Sequence, residues 1–153
     1  MMSLRQIWKK QKDRKLNYKN YLKKGKSRIA VWGSGYIGLS TMAFFSRKKI
    51  KCVGYDINEK TVDTINSGKL PITELKDWFG FDIKSSVKKR YLQASNDHKI
   101  FYNDSFNVHF IAIPTEKNGK PFFDILFNVL EKLIKIIKTK NKTRPVVIIE
   151  STL

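Results

Sequence analysis

The segment Gly33-Ser34-Gly35-Tyr36-Ile37-Gly38 constrains the fold of this 153-residue chain more than any other. It follows at once on residues 29–32, Ile-Ala-Val-Trp, a run apolar on both faces as a central strand of a parallel sheet must be. It also opens a stretch of helical character that runs to Arg47. A G-x-G-x-x-G set in that position has a physical reading. Gly33 permits a tight turn, Gly35 lets the backbone approach a pyrophosphate with no side chain in the way, and Gly38 lets helix and strand pack closely. The free N–H groups at the helix start, Tyr36 and Ile37 included, meet the phosphates with the positive end of the helix dipole behind them.

A second strand over residues 51–55 closes on Asp56, 18 residues after Gly38. A carboxylate there accepts hydrogen bonds from the adenine-ribose hydroxyls and repels a 2′-phosphate, which selects NAD over NADP. Arg47, Lys48, Lys49 and Lys51 are basic neighbours in sequence that would act in the opposite sense. Taken alone, the glycines serve only a turn and Asp56 only caps the next helix. Strand, helix, second strand and acid in register are what turn them into a nucleotide fingerprint.

The rest of the chain keeps alternating short apolar runs with amphipathic stretches. A helix over about 58–66 stops at Gly68, and residues 69–90, broken by Pro71, suggest short helices on the sheet edge. Strands are expected at 92–95 and 108–113, the second ended by Pro114, with a loop over 115–120. Asp124, Asn128, Glu131, Lys135 and Lys138 form a polar stripe on a helix over about 122–140, and residues 145–150 read as one more buried strand. The expected fold is α/β, a Rossmann-type doubly wound, mainly parallel sheet with helices on both faces.

Charge divides the chain in two. Of the net +18, a net +10 falls in the first 28 residues, where eleven basic side chains from Arg5 to Arg28 face one acid, Asp13. Residues 1–27 therefore read as a basic arm, helical or disordered, and 28–153 as the domain. The arm is a candidate contact for polyanions. The single cysteine, Cys52, excludes an internal disulfide and supplies no metal cluster, so no metal site is expected. With no apolar run of about 18 residues and no signal-like start, the expected compartment is the cytoplasm. His109 reads as a core histidine, and His98 has no visible partner.

In order along the chain, Gly35 to Leu39 (Gly-Tyr-Ile-Gly-Leu), Gly54-Tyr55-Asp56, Ile65-Asn66-Ser67-Gly68 with Pro71 and Glu74, Ile113-Pro114-Thr115 and Glu150-Ser151-Thr152 resemble five motifs of one family. It is the NAD-dependent nucleotide-sugar dehydrogenases, which oxidise UDP-glucose, GDP-mannose or UDP-N-acetylmannosamine to uronic acids. The resemblance spans residues 28–153. It implies NAD as cofactor, with Pro114 and Thr115 beside it, and auxiliary catalytic roles near the nicotinamide for Thr115 and Glu150, positioning water and managing protons. Read without the resemblance, Thr115 begins a turn and Glu150 ends a strand. In the family, later domains hold the nucleotide sugar and carry the cysteine that captures the C6 aldehyde, so this chain is expected to be a carboxyl-terminally truncated piece, inactive alone. Cys52, at the start of a strand, is a core or edge residue and not that nucleophile. Glu116 departs from the family's proline after Pro-Thr, and the acid expected after Pro121 is displaced to Asp124. Two other readings stay open: a non-catalytic nucleotide-binding module, and a polyanion- or nucleic-acid-binding protein that uses the arm.

Overall fold

A computed structural model describes residues 20, 22, 24, 25, 27–80, 82–103, 106–139 and 145–150. Of the basic arm, expected to be helical or disordered, residues 1–19, 21, 23 and 26 lie outside the described residues. Five parallel strands form the sheet in the order β3-β2-β1-β4-β7. They are β1 (Arg28–Trp32), β2 (Cys52–Tyr55), β3 (Leu92–Ser95), β4 (Phe106–Ile111) and β7 (Val146–Ile149). Strand alternation splits the core in two. Ile29 and Val31 face α1 (Tyr36–Arg47), α2 (Glu59–Asn66), α3 (Leu75–Phe79) and α4 (Lys84–Lys88), whereas Ala30 and Trp32 face α5 (Asp124–Thr139) and the 3-10 turn His98–Tyr102. Helices thus cover both faces, as a parallel sheet requires.

α5 turns Leu126, Val129, Leu133 and Ile136 inward, while every residue of its expected polar stripe is exposed. Asn58 caps α2 by accepting the Thr61 N–H at 3.3 Å, so that helix starts one residue later than its sequence suggests. β4 begins and ends two residues early. Its ladder stops at Ile111, and Ala112, Ile113 and Pro114 follow outside the strand. Residues 115–120 are not simply a loop: β5 (Glu116–Lys117) pairs antiparallel with β6 (Lys120–Pro121). Glu116 accepts the Gly119 N–H at 2.7 Å, so the residue that departs from the family pattern closes this hairpin turn.

β7 corrects another expectation. Among the described residues it pairs only with β4, and all four of its residues are 37–49% exposed, so it is an edge strand here and not a buried one. The opposite edge is managed by a side chain. Asn66 accepts the Ala94 N–H at 2.8 Å and donates to the Ala94 carbonyl at 2.9 Å, imitating the strand that β3 lacks. This explains the asparagine of Ile65-Asn66-Ser67-Gly68. Asn66→Ala is expected to lower the unfolding free energy in urea by about 1–3 kcal/mol, because both backbone groups lose their partner at once.

Candidate functional site

The strands end in register. Trp32 stands beside both Tyr55 and Ile111, Tyr55 beside Ser95 and Ile111 beside Ile149, so the residues that follow them form one rim. Gly33, Asp56, Ala112 and Glu150 stand on it. From β1 the chain proceeds outward to β2 and β3, then crosses to the other side of β1 for β4. A crevice therefore opens where the order reverses, between the ends of β1 and β4.

The glycines of the loop have different tasks. Gly33 has φ +91° and donates its N–H to the Tyr55 carbonyl at 2.8 Å, and a Cβ there would collide with the Ala112 carbonyl oxygen. At Gly38 a Cβ would collide with the Gly33 carbonyl oxygen. Gly35 is exposed and a Cβ would meet nothing within 4 Å, so its bareness serves nothing inside the fold. It is also the N-cap of α1, with no side-chain cap bond, which leaves the first N–H groups of that helix without a side-chain acceptor. A bare, uncapped helix start facing an open crevice fits a dinucleotide's pyrophosphate.

Asp56 is tied to this loop. One of its carboxylate oxygens accepts the Ser34 N–H at 2.8 Å and the other the Asn58 N–H at 2.9 Å, fixing its orientation while each oxygen keeps a lone pair for a diol. Gly54 makes room for the loop: a Cβ there would come within 2.6 Å of both Ser34 Oγ and Met42 Sδ. The Ser34 hydroxyl is buried with no hydrogen-bond partner among the described residues. Tyr36 and Ile37 are exposed on the first turn of α1, and Ile57, just after Asp56, is 83% exposed. Beside Tyr36 stands Trp78 of α3, edge-on at 5.6 Å and 77% exposed. Trp78 falls in the stretch 69–90, for which the sequence suggests only short helices on the sheet edge.

Pro114 is exposed and Thr115 buried at the base of the hairpin, where the Thr115 carbonyl accepts the Phe122 N–H at 2.8 Å. Glu150 is half-buried, and its carboxylate accepts the Thr41 hydroxyl at 2.8 Å. It therefore does not simply end a strand in water. Thr41 went unnoticed in the sequence, although its place three residues after Gly38 puts it on the same side of α1.

The remaining candidates fall away from the crevice. Cys52 is buried at the opposite end of β2, and burial pushes its thiol far above the usual thiol range. Arg47, Lys48, Lys49 and Lys51 precede that same end, so β2 separates them from Asp56 by roughly 13 Å. The sequence neighbours that seemed to weaken selection against a 2′-phosphate are not spatial ones. His109 is in the core, its Nδ1 accepting the Trp32 indole N–H at 3.2 Å. His98 does have partners: its ring lies 5.8 Å from Tyr55 and 6.4 Å from Trp32. Burial, then Lys132, lowers its pKa, so protonation disfavours the folded state as pH falls below the unfolded value near 6.5. Among the described residues no three His, Cys, Asp or Glu side chains converge as a metal site, and no helix is long and apolar enough to cross a membrane.

Residues 27–153 match the model of the UDP-glucose/GDP-mannose dehydrogenase family, NAD binding domain. The chain belongs to this family. It is similar to the UDP-N-acetyl-D-mannosamine dehydrogenase of Campylobacter jejuni, 36% identical over 131 residues that make up 82% of this chain and 29% of that protein. Among solved structures it is similar to the GDP-mannose dehydrogenase ternary complex from Pseudomonas aeruginosa (TM-score 0.68, 26% identity, 82% of this chain and 28% of that one). It is also similar to the UDP-D-ManNAc dehydrogenase of Pyrococcus horikoshii (TM-score 0.65, 32% identity, 82% and 28%). The chain thus spans less than a third of the length of these relatives. What it shares with them is the family's NAD-binding domain, and NAD is the cofactor of that domain.

Proposed function

We propose that this chain supplies the NAD-binding portion of a nucleotide-sugar 6-dehydrogenase, which converts a primary alcohol to a carboxylate through two hydride transfers. The observation that carries the reading is Asp56 bonded to the Ser34 N–H, because it joins the phosphate loop and the ribose acid into one rigid unit at the crevice. Gly33, Gly35, Tyr36, Ile37 and Gly38 hold the pyrophosphate, Asp56 holds the adenosine ribose, and Pro114 and Thr115 stand at the nicotinamide side. NAD, when bound, supplies the hydride acceptor. Glu150, whose carboxylate accepts the Thr41 hydroxyl, accepts or returns a proton near the reacting carbon. The sugar is that of a UDP- or GDP-linked hexose, and the product is a uronic acid of the kind used in polysaccharide precursors, made in the cytoplasm. Residues 1–27 add a salt-sensitive contact to polyanions.

Calorimetric titration tests the cofactor, and NADH absorbance with a panel of UDP- and GDP-sugars tests the chemistry. The 153-residue chain is expected to bind NAD or NADH and to produce no NADH from any nucleotide sugar. Oxidation needs the alcohol carbon held about 3–3.5 Å from the nicotinamide, and the aldehyde stage needs a thiolate. The one thiol, Cys52, is buried, un-ionised and at the wrong end of β2. Absence of NAD binding would overturn the reading, and turnover lost in Cys52→Ser would overturn the assignment of Cys52 to the core.

A further inference from the structure

Part of the positive charge of the domain is gathered around the ends of α1 and α4. α1 ends in Arg47 with Lys48, Lys49 and Lys51 beyond it, and α4 carries Lys84 and Lys88 with Lys89 and Arg90 after it. Across residues 44–51 and 82–91 the only acid is Asp82. The two helices pack on each other, and both stretches sit where the strands begin, as the Cys52 N–H bonded to the Tyr91 carbonyl at 2.8 Å shows. This is the end of the sheet opposite the glycine loop. Between them lies a cleft of about 390 Å³.

Arg47, Lys49 and Lys89 line the cleft together with Ser85, Ser86 and Tyr91. The hydroxyls of Ser85, Ser86 and Tyr91 stand in the same wall and can act as donors. Ser46, also in the wall, is committed to the Ala43 carbonyl at 3.0 Å. Asp82 is partly committed as well, since one of its oxygens accepts the Lys84 N–H at 2.9 Å. A second observation comes from the backbone. Lys49 has φ +60° and Arg90 φ +57°, the left-handed positions that follow α1 and α4, where glycine or asparagine is the comfortable residue. Long cations occupy both. Held in strained conformations beside one cleft, they point to a use for the side chains that backbone economy does not supply.

We infer that this cleft binds the phosphate or diphosphate group of a small anionic ligand, at a site separate from the dinucleotide crevice. The cations supply the charge, the hydroxyls supply directed donors for the phosphate oxygens, and the volume is that of a small-ligand cleft. Single-stranded nucleic acid fits less well, because among the described residues Tyr91 is the only aromatic ring in the wall and it is half-buried, which gives stacking bases little platform there.

The test titrates the full chain with inorganic pyrophosphate and follows backbone amide shifts by NMR. The shifts are expected at Ser85, Ser86, Lys89 and Tyr91, and are expected to persist in Gly35→Val. Lys49→Gly and Lys89→Gln should each weaken binding roughly tenfold. Lys49→Gly relieves the positive φ, so it should melt no lower than the parent chain, and lost binding cannot be ascribed to unfolding. Shifts confined to residues 33–38 or 1–27, or undiminished affinity in both lysine variants, would overturn the proposal. So would a parallel titration in which a twelve-nucleotide single strand moves the cleft amides and pyrophosphate does not, since the site would then read an extended backbone.

Discussion

Gly33→Ala is expected to destabilise the chain by about 3 kcal/mol or more, while Gly35→Val leaves the fold standing and removes cofactor binding. The two glycines lie two residues apart in one motif, and the structure separates their roles. At Gly33, φ is +91°, a conformation costly for an L-residue, and a methyl group would also enter the Ala112 carbonyl oxygen. Neither atom can yield cheaply, because Gly33 is fixed by its bond to Tyr55 and Ala112 donates to the Trp32 carbonyl at 2.8 Å. A domain of ordinary stability, on the order of 5–15 kcal/mol, would lose a large share of it, and a thermal melt should shift down by roughly 10 °C. At Gly35 a side chain has open space in the free protein, so the melt should hardly change. The same side chain stands in the volume the pyrophosphate must occupy, and NADH titration should show at least about a hundredfold loss. A Gly35→Val variant that binds normally would mean that the phosphates do not approach this loop.

Sequence alone reached the fold because its strongest signals are local. The buried run ending at Trp32, the glycine set and Asp56 each report their own segment, and parallel pairing of β1 with β2 follows from the crossover helix between them. Boundaries failed where a tertiary partner sets them. β4 stops at Ile111 because β1, its neighbour, ends there in register, not because of Pro114 three residues later. Burial of β7 was overread because an all-aliphatic strand looks the same at an edge as in the middle; only the absence of a second neighbour in the sheet order reveals it. The candidate site divides in the same way. Gly33, Gly35, Gly38 and Asp56 were legible, since their spacing is their signal. Thr41 and Glu150 are 109 residues apart, and no periodicity links them. Nor does periodicity reveal that Lys51 and Asp56, five residues apart, stand at opposite ends of a strand with separate surroundings, or that the charge of Arg47 to Lys51 joins that of Lys84 to Arg90.

That separation leads to the sharpest expectation about the cofactor. The chain should bind NAD well ahead of NADP, and Asp56→Ala should collapse the difference. In the folded domain the Asp56 carboxylate is oriented by Ser34 and Asn58 at the end of β2, the place where the adenosine ribose of a dinucleotide meets the sheet. A 2′-phosphate brought there meets a fixed negative charge at close range. Removing the carboxylate acts in two ways. NAD loses charge-assisted hydrogen bonds from its ribose hydroxyls, about 1.5–3 kcal/mol, or roughly tenfold to a hundredfold in affinity. NADP loses a repulsion, so its affinity should hold or rise, and the preference ratio should fall by more than NAD binding alone does. The variant should also loosen the loop, because the Ser34 and Asn58 N–H groups lose their acceptor, and amide exchange at Ser34 should quicken. A control is needed for a cation that approaches this end of β2: Lys132 of α5 lies 5.6 Å over the Tyr55 ring. If that ammonium held a 2′-phosphate, Lys132→Ala would weaken NADP and leave NAD unchanged. Since Tyr55 packs into the core facing α5, on the opposite side of the sheet from α1, Lys132→Ala is expected to leave the ratio of the two affinities where it was. Equal binding of NAD and NADP by the parent chain would remove Asp56 from the ribose site altogether.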